Sequence, residues 1–185
     1  MTGDAPGGGL MPPVSERDHS QGPAGAPVTL VQYGDYECPY TRRSLPIVAA
    51  LRERLGDRLR FVFRNFPLTG IHPHAEAAAE AAEAADAQGR FWPMHDHLFA
   101  HQKALDDEHL RGYAAELGLD GERFEREMAG HAHAARVRED VEGGLRSGVG
   151  GTPTFFVNGR RHDDSYDFDT LLAAIEAADG AGRRR

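Results

Sequence analysis

A single cysteine, Cys38, stands among 185 residues, which excludes an internal disulfide, so the thiol is either packing or chemistry. Excess positive charge is lacking too: 21 Lys+Arg against 29 Asp+Glu leave a formal net charge of −8. That balance argues against nucleic acid or an anionic membrane surface as the main partner. No window approaches the roughly eighteen apolar residues of a spanning helix, so no membrane partner is expected. The start, "MTGDAPGGGLMPPV", has no basic stretch followed by an apolar run. No signal peptide is expected, and the expected location is cytoplasmic, where thiols stay reduced.

What is present alternates strand and helix signals. Residues 1–13 are rich in Gly and Pro and are expected to form a flexible tail, with 14–26 along the surface. "PVTLVQYGDY" reads as a buried strand from Val28 to Tyr33. "CPYTRRSLPIVAALRERLG" then carries Leu45, Val48, Leu51 and Leu55 near helical spacing, with Gly56 as a stop. Pro39 suits the first helical turn, where its missing N–H costs nothing, and Pro46 is expected to kink the helix. "RLRFVFRNFPL" is a second strand around Phe61 to Arg64. Helical patterns fill the residues between, approximately 74–88, 91–102, 107–117 and two further helices within 122–147. "TPTFFVNGRRH" returns to strand with a tight turn at Asn158-Gly159, and "YDFDTLLAAIEAA" closes with a helix.

This order predicts an α/β fold, a mixed sheet with helices on its faces and an all-helical insertion. The expected domains are 14–69 with 148–179 for the sheet, 70–147 for the inserted helices, and 180–185 as a C-terminal tail.

Cys38 falls after a strand and at the start of a helix, where unpaired N–H groups and the positive end of the helix dipole favour a thiolate. The Thr41 hydroxyl, three residues along, is expected to face the sulfur. The bland reading is a buried structural cysteine.

"PVTLVQYGDYECPYT", "RFVFRNFPL", "HPHAEAAAEAAEAADAQGRFWPMHDHLFAHQ" and "GVGGTPTFFVNGRRH" occur in the order that resembles the DsbA-like branch of the thioredoxin superfamily. The likeness extends to the bacterial thioredoxin-like domains that occur alone or fused behind a sodium/proton antiporter. The resemblance implies a thioredoxin fold, with Cys38 as nucleophile and Pro39 and Tyr40 as the intervening pair that tunes it and meets substrate. It implies a cis-proline loop at Thr152-Pro153, whose Thr152 backbone pairs with extended substrate. Two departures matter: Thr41 stands where the family's resolving cysteine would be, and Gln32 where many relatives have a buried carboxylate.

One sulfur can attack a disulfide but needs an external thiol to resolve the product. The expected function is monothiol disulfide exchange, reduction or isomerisation, on protein or small-thiol disulfides. No bound cofactor is expected beyond a low-molecular-weight thiol as co-substrate. The alternatives are a redox-inactive peptide-binding module and a glutathione-transferase-like protein on the DsbA fold. Of ten histidines, His97 and His101 are four apart and can share a helix face, but no Cys pair or zinc-protease Glu accompanies them, so no metal is expected. Trp92, in "GRFWPMHDHLF", reads either as a groove residue or as part of the helical core.

Overall fold

The computed structural model describes residues 9–182. The elements are β1 (His19–Gln21), β2 (Val28–Gly34), α1 (Pro39–Leu55), β3 (Leu59–Asn65), α2 (Ala75–Asp86), α3 (Phe91–Ala100), α4 (Asp107–Glu116), α5 (Gly121–Ala129), α6 (Ala134–Arg146), β4 (Thr154–Val157), β5 (Arg160–His162) and α7 (Phe168–Gly182). The strands form one five-stranded sheet in the order β1-β3-β2-β4-β5. No described helix is long and apolar enough to cross a membrane.

The chain divides into two compact units. The sheet unit comprises the chain up to Tyr33, Arg43–Arg64, and the chain from Gly143. In β2, Val28, Leu30, Val31, Gln32 and Tyr33 are all buried, and because alternate residues point to opposite faces, both faces of this strand are covered. Strand β4 pairs antiparallel with β2, setting Gln32 opposite Phe155 and Val31 opposite Phe156. The Phe156 ring meets the Tyr33 ring edge-on at 5.9 Å. At the β4–β5 turn, Asn158 and Gly159 both take positive φ, 46° and 78°, as a tight hairpin of this hand requires.

The sequence placed residues 9–13 in a free tail, and the structure corrects this: Gly9 bridges Arg160, Leu10 donates its N–H to Gly159 O at 2.9 Å, and Met11 donates to Ser147 Oγ at 2.8 Å. Leu10 is buried, so an apolar side chain and the partners of three successive backbone positions outweigh the Gly-Pro composition. Residues 1–8 lie outside the described residues. Strand β1, within the segment expected only to follow the surface, pairs antiparallel with β3, His19 opposite Phe63. Helix α7 likewise runs through 180–182, where a tail was expected, and 183–185 lie outside the described residues.

Just before α7, Asp167 accepts hydrogen bonds from the backbone and hydroxyl of Thr170, both at 2.9 Å. Hydrogen bonding with Ser165 and these Thr170 bonds hold its carboxyl at about 2, below the ordinary 3.8. A depressed folded-state value stabilises the fold above the unfolded value and is lost as pH falls. We expect an NMR titration of the Asp167 carboxyl carbon to give a midpoint near 2, and Asp167→Asn to remove this contribution to acid stability between pH 3.8 and 2. A midpoint at 3.8 would contradict the expectation.

The helical unit comprises Gly34–Arg42 and Asn65–Glu142. Helix α2 is central and packs against α3, α4 and α5. Its run of buried alanines, Ala75 through Ala85, presents little side-chain bulk and permits close approach on several sides. Polar groups are buried with their partners: Asn65 donates from its backbone to Asp140 Oδ2 at 2.9 Å and from Nδ2 to Glu83 Oε1 at 2.7 Å, and Arg136 pairs with Asp140. Burial raises the Asp140 carboxyl above its usual range, against the lowering effect of Arg136.

The partition differs from the expected boundary at 69/70. Residues 34–42 group with the helices because their hydrogen bonds run to residues 66, 68, 72, 74 and 102.

Candidate active site

Strand β2 ends at Gly34, and Asp35, Tyr36 and Glu37 carry the chain to Cys38, which immediately precedes the first residue of α1. Pro39 opens the helix, where no N–H is needed, and the first turn holds no acidic side chain to offset its positive end. Cys38 is 3% exposed. Its N–H donates to Asp35 O at 3.1 Å, and its carbonyl accepts from Arg42 N at 3.2 Å and from Gln102 Nε2 at 2.8 Å.

Asp35 organises this turn. Its Oδ1 accepts from Glu37 N at 2.7 Å, and its Oδ2 accepts from Leu68 N at 2.8 Å and from His72 Nδ1 at 2.7 Å. Its own N–H donates to Thr41 Oγ1 at 3.4 Å. Glu37 Oε2 accepts from His74 N at 2.8 Å. The side chain is fully buried, and its three hydrogen-bond partners offset the cost of removing its oxygens from water.

Tyr36 lies beneath the turn, its hydroxyl paired with His95 Nδ1 at 3.0 Å and its ring 4.8 Å from Phe99. Burial, followed by the charges of Glu83, Asp96 and Asp140, raises the phenol well above 10, so it stays protonated. Trp92 sits on the same cluster, edge-on to Phe91 and to His95, each at 5.0 Å. Its ring therefore contributes to helical-unit packing while remaining half-buried.

Of the residues named from sequence, Thr41 is fully buried, whereas Pro39 and Tyr40 are exposed, Tyr40 by 55%. The Thr41 oxygen faces the Asp35 N–H, a partner that spacing did not reveal. In the sheet unit, the Thr152-Pro153 peptide bond is cis, and both residues are half-buried at the approach to β4. Thr154 Oγ1 donates to Gly151 O at 2.7 Å and closes that loop. Gln32 is fully buried on β2, its Nε2 donating to Ser44 Oγ at 2.6 Å, while its Oε1 is buried without a hydrogen-bond partner. Asp35, His72 and Gln102 were not singled out from sequence. Asp35 carries a local cue, a carboxylate in the turn before a helix, but His72 and Gln102 carry none.

Residues 14–177 match the family described as Thioredoxin. Among curated proteins, the chain is 52% identical over 179 residues to Na(+)/H(+) antiporter NhaA 1 of Salinispora arenicola, covering 95% of this chain and 27% of that protein. It is 49% identical over 170 residues to Na(+)/H(+) antiporter NhaA of Herminiimonas arsenicoxydans, covering 91% and 27%. The chain thus spans little more than a quarter of the length of these relatives. Among solved structures, a thioredoxin-like oxidoreductase from Silicibacter pomeroyi superposes with TM-score 0.78 at 27% identity, covering 89% of this chain and 93% of that one. BdbD from Bacillus subtilis gives TM-score 0.77 at 25% identity, covering 87% and 92%. Wolbachia pipientis alpha-DsbA1 gives 0.75 at 18% identity, covering 94% and 96%, a likeness of fold. With the family matched along most of its length and the fold shared with these structures, the chain belongs to the thioredoxin family, in its DsbA-like form.

Proposed function

We propose that the protein is a monothiol disulfide-exchange enzyme whose single nucleophile is Cys38. The carrying observation is that the only cysteine sits directly before the first residue of α1, at the positive end of a helix whose first turn has no acidic side chain. The Cys38 thiolate attacks one sulfur of a protein or small-thiol disulfide; the substrate S–S bond breaks, a mixed disulfide forms, and a thiolate leaves with the bonding electrons. An external thiolate then attacks the substrate-side sulfur of the mixed disulfide, forming a new disulfide with that substrate half as the bond to Cys38 breaks and the Cys38 thiolate leaves. The protein ends each cycle as it began, so net exchange or reduction draws its electrons from the external thiol.

Pro39 and Tyr40 flank the sulfur in the chain and are exposed, which suits contact with substrate. Thr152 and Pro153 keep, in this proposal, the substrate-pairing role implied by the family, and Trp92 a supporting one. The external thiol is a co-substrate rather than a bound cofactor, and the reducing cytoplasm is the proposed setting. In this proposal the names of the antiporter relatives point to an association with a sodium/proton exchanger.

The test is intact mass spectrometry after incubation with glutathione disulfide. One glutathione adduct is expected, mapping to Cys38 and released by added thiol. Absence of any adduct on the folded protein would reject the proposal and leave the peptide-binding module as the better reading.

A further inference from the structure

We propose that Gln102 is a positioning residue for the attack by Cys38. This rests on Cys38 as the attacking atom. Gln102 follows α3 in the helical unit, and its Nε2 donates both of its hydrogens to the cysteine turn: to Tyr36 O at 2.9 Å and to Cys38 O at 2.8 Å.

The direction of the Cys38 side chain depends on φ and ψ of that residue. The peptide group before it is held through its N–H, which donates to Asp35 O at 3.1 Å. The peptide group after it precedes Pro39 and has no N–H, so its carbonyl is the only polar handle by which that plane can be held. Two donors reach the carbonyl: Arg42 N at 3.2 Å, from within α1, and Gln102 Nε2 at 2.8 Å. The shorter bond comes from a residue 64 positions away in sequence. Gln102 therefore fixes ψ at Cys38 from outside the helix that the cysteine begins. Its second hydrogen, on Tyr36 O, prevents the amide from rotating away. Asp35, tied to Leu68 and His72, holds the other end of the turn.

Positioning and mere structural support predict opposite signs. Cys38 is nearly fully buried, so a turn that only loosens would expose the sulfur and speed its reaction with a small reagent. A turn that loses its attack geometry reacts more slowly. The probe is dithiobis-nitrobenzoate under single-attack conditions: the Cys38 thiolate bonds to one sulfur, the aromatic S–S bond breaks, and thionitrobenzoate leaves and is counted by absorbance. Because one attack suffices, a protein that fails to turn over with external thiol can still be assayed, so failure of the proposed function and failure of this inference are separable.

Gln102→Met keeps length and volume but offers no donor. We expect it to lower the second-order attack rate on the order of tenfold while leaving the melting transition in place. Variant and parent should react equally in denaturant, where the turn no longer exists. If the Met variant does not fold, Gln102→Ala, whose vacated space admits a bridging water, carries the same criterion with a smaller expected loss. A native attack rate that is unchanged or raised in the folded variant overturns the inference.

Discussion

Replacing Thr41 by cysteine is expected to turn the mixed disulfide on Cys38 from a species that waits for an external thiol into one that resolves within the chain. Position 41 lies three residues beyond Cys38, in the first turn of α1, where residues three apart share a face, and it is fully buried. A well-oriented intramolecular partner reaches effective concentrations of roughly 10⁵ M or more, so even an indifferently oriented thiol at 41 should outpace an external one by on the order of 10³-fold. The adduct formed with glutathione disulfide, trapped in acid and weighed over time, should be long-lived in the parent and short-lived in Thr41→Cys. Free-thiol counts should fall from two to none when the variant is oxidised. Cys38→Ser sets the floor, with no adduct and no exchange. The variant also removes the hydroxyl that accepts from Asp35 N at 3.4 Å, a long bond worth no more than about 1 kcal/mol. An adduct of unchanged lifetime would show that position 41 does not reach the sulfur.

The largest stability effect is expected at Arg64, which is 2% exposed on β3. All five of its donors are used: Nε to Asp18 Oδ1 at 2.8 Å, Nη1 to Pro12 O at 2.9 Å and Tyr33 Oη at 3.1 Å, Nη2 to Asp18 Oδ2 at 3.0 Å and Pro13 O at 3.3 Å. Burial alone would lower its affinity for the proton, but the bonds to Asp18 and Tyr33 and the charge of Asp18 outweigh this and hold the guanidinium well above the ordinary range. The group is charged at every pH of interest, so removing one partner strands the other. Arg64→Ala leaves the Asp18 carboxylate with the Ser15 N–H at 2.8 Å but without its counter-charge, removes the guanidinium from two proline carbonyls, and is expected to cost about 3–5 kcal/mol in urea unfolding. Asp18→Ala should cost a similar amount. Replacing both by apolar residues of matched volume should recover much of the loss, because the desolvation of two charges is then avoided. If Arg64→Ala alone costs less than about 1 kcal/mol, the network is not an anchor for residues 12–18.

Much of this architecture is local and was therefore legible. The β-branched and aromatic run before Gly34 is a central strand, and the spacing from Pro39 to Leu55 is a helix, because period and punctuation are short-range properties of the chain. The cysteine at the junction followed from those two boundaries. The Asn158-Gly159 turn followed from the left-handed backbone that those residues tolerate.

Other features are held by partners far away in sequence and leave no period to read. Residues 9–13 look like a tail but are fixed by Ser147, Gly159 and Arg64. Gln32 was visible as a departure from the family, yet its bond to Ser44 and its unpaired oxygen belong to the folded core alone.

By itself the sequence determined the fold class and the placement of its one cysteine before a helix, since both rest on periodicity, helix-end chemistry and a residue count. Only the tertiary structure decided what holds that cysteine. The cysteine turn joins the helical unit rather than the sheet unit because Asp35, Glu37 and the carbonyls of Tyr36 and Cys38 find their donors at residues 68, 72, 74 and 102, a choice made by hydrogen-bond geometry across the fold.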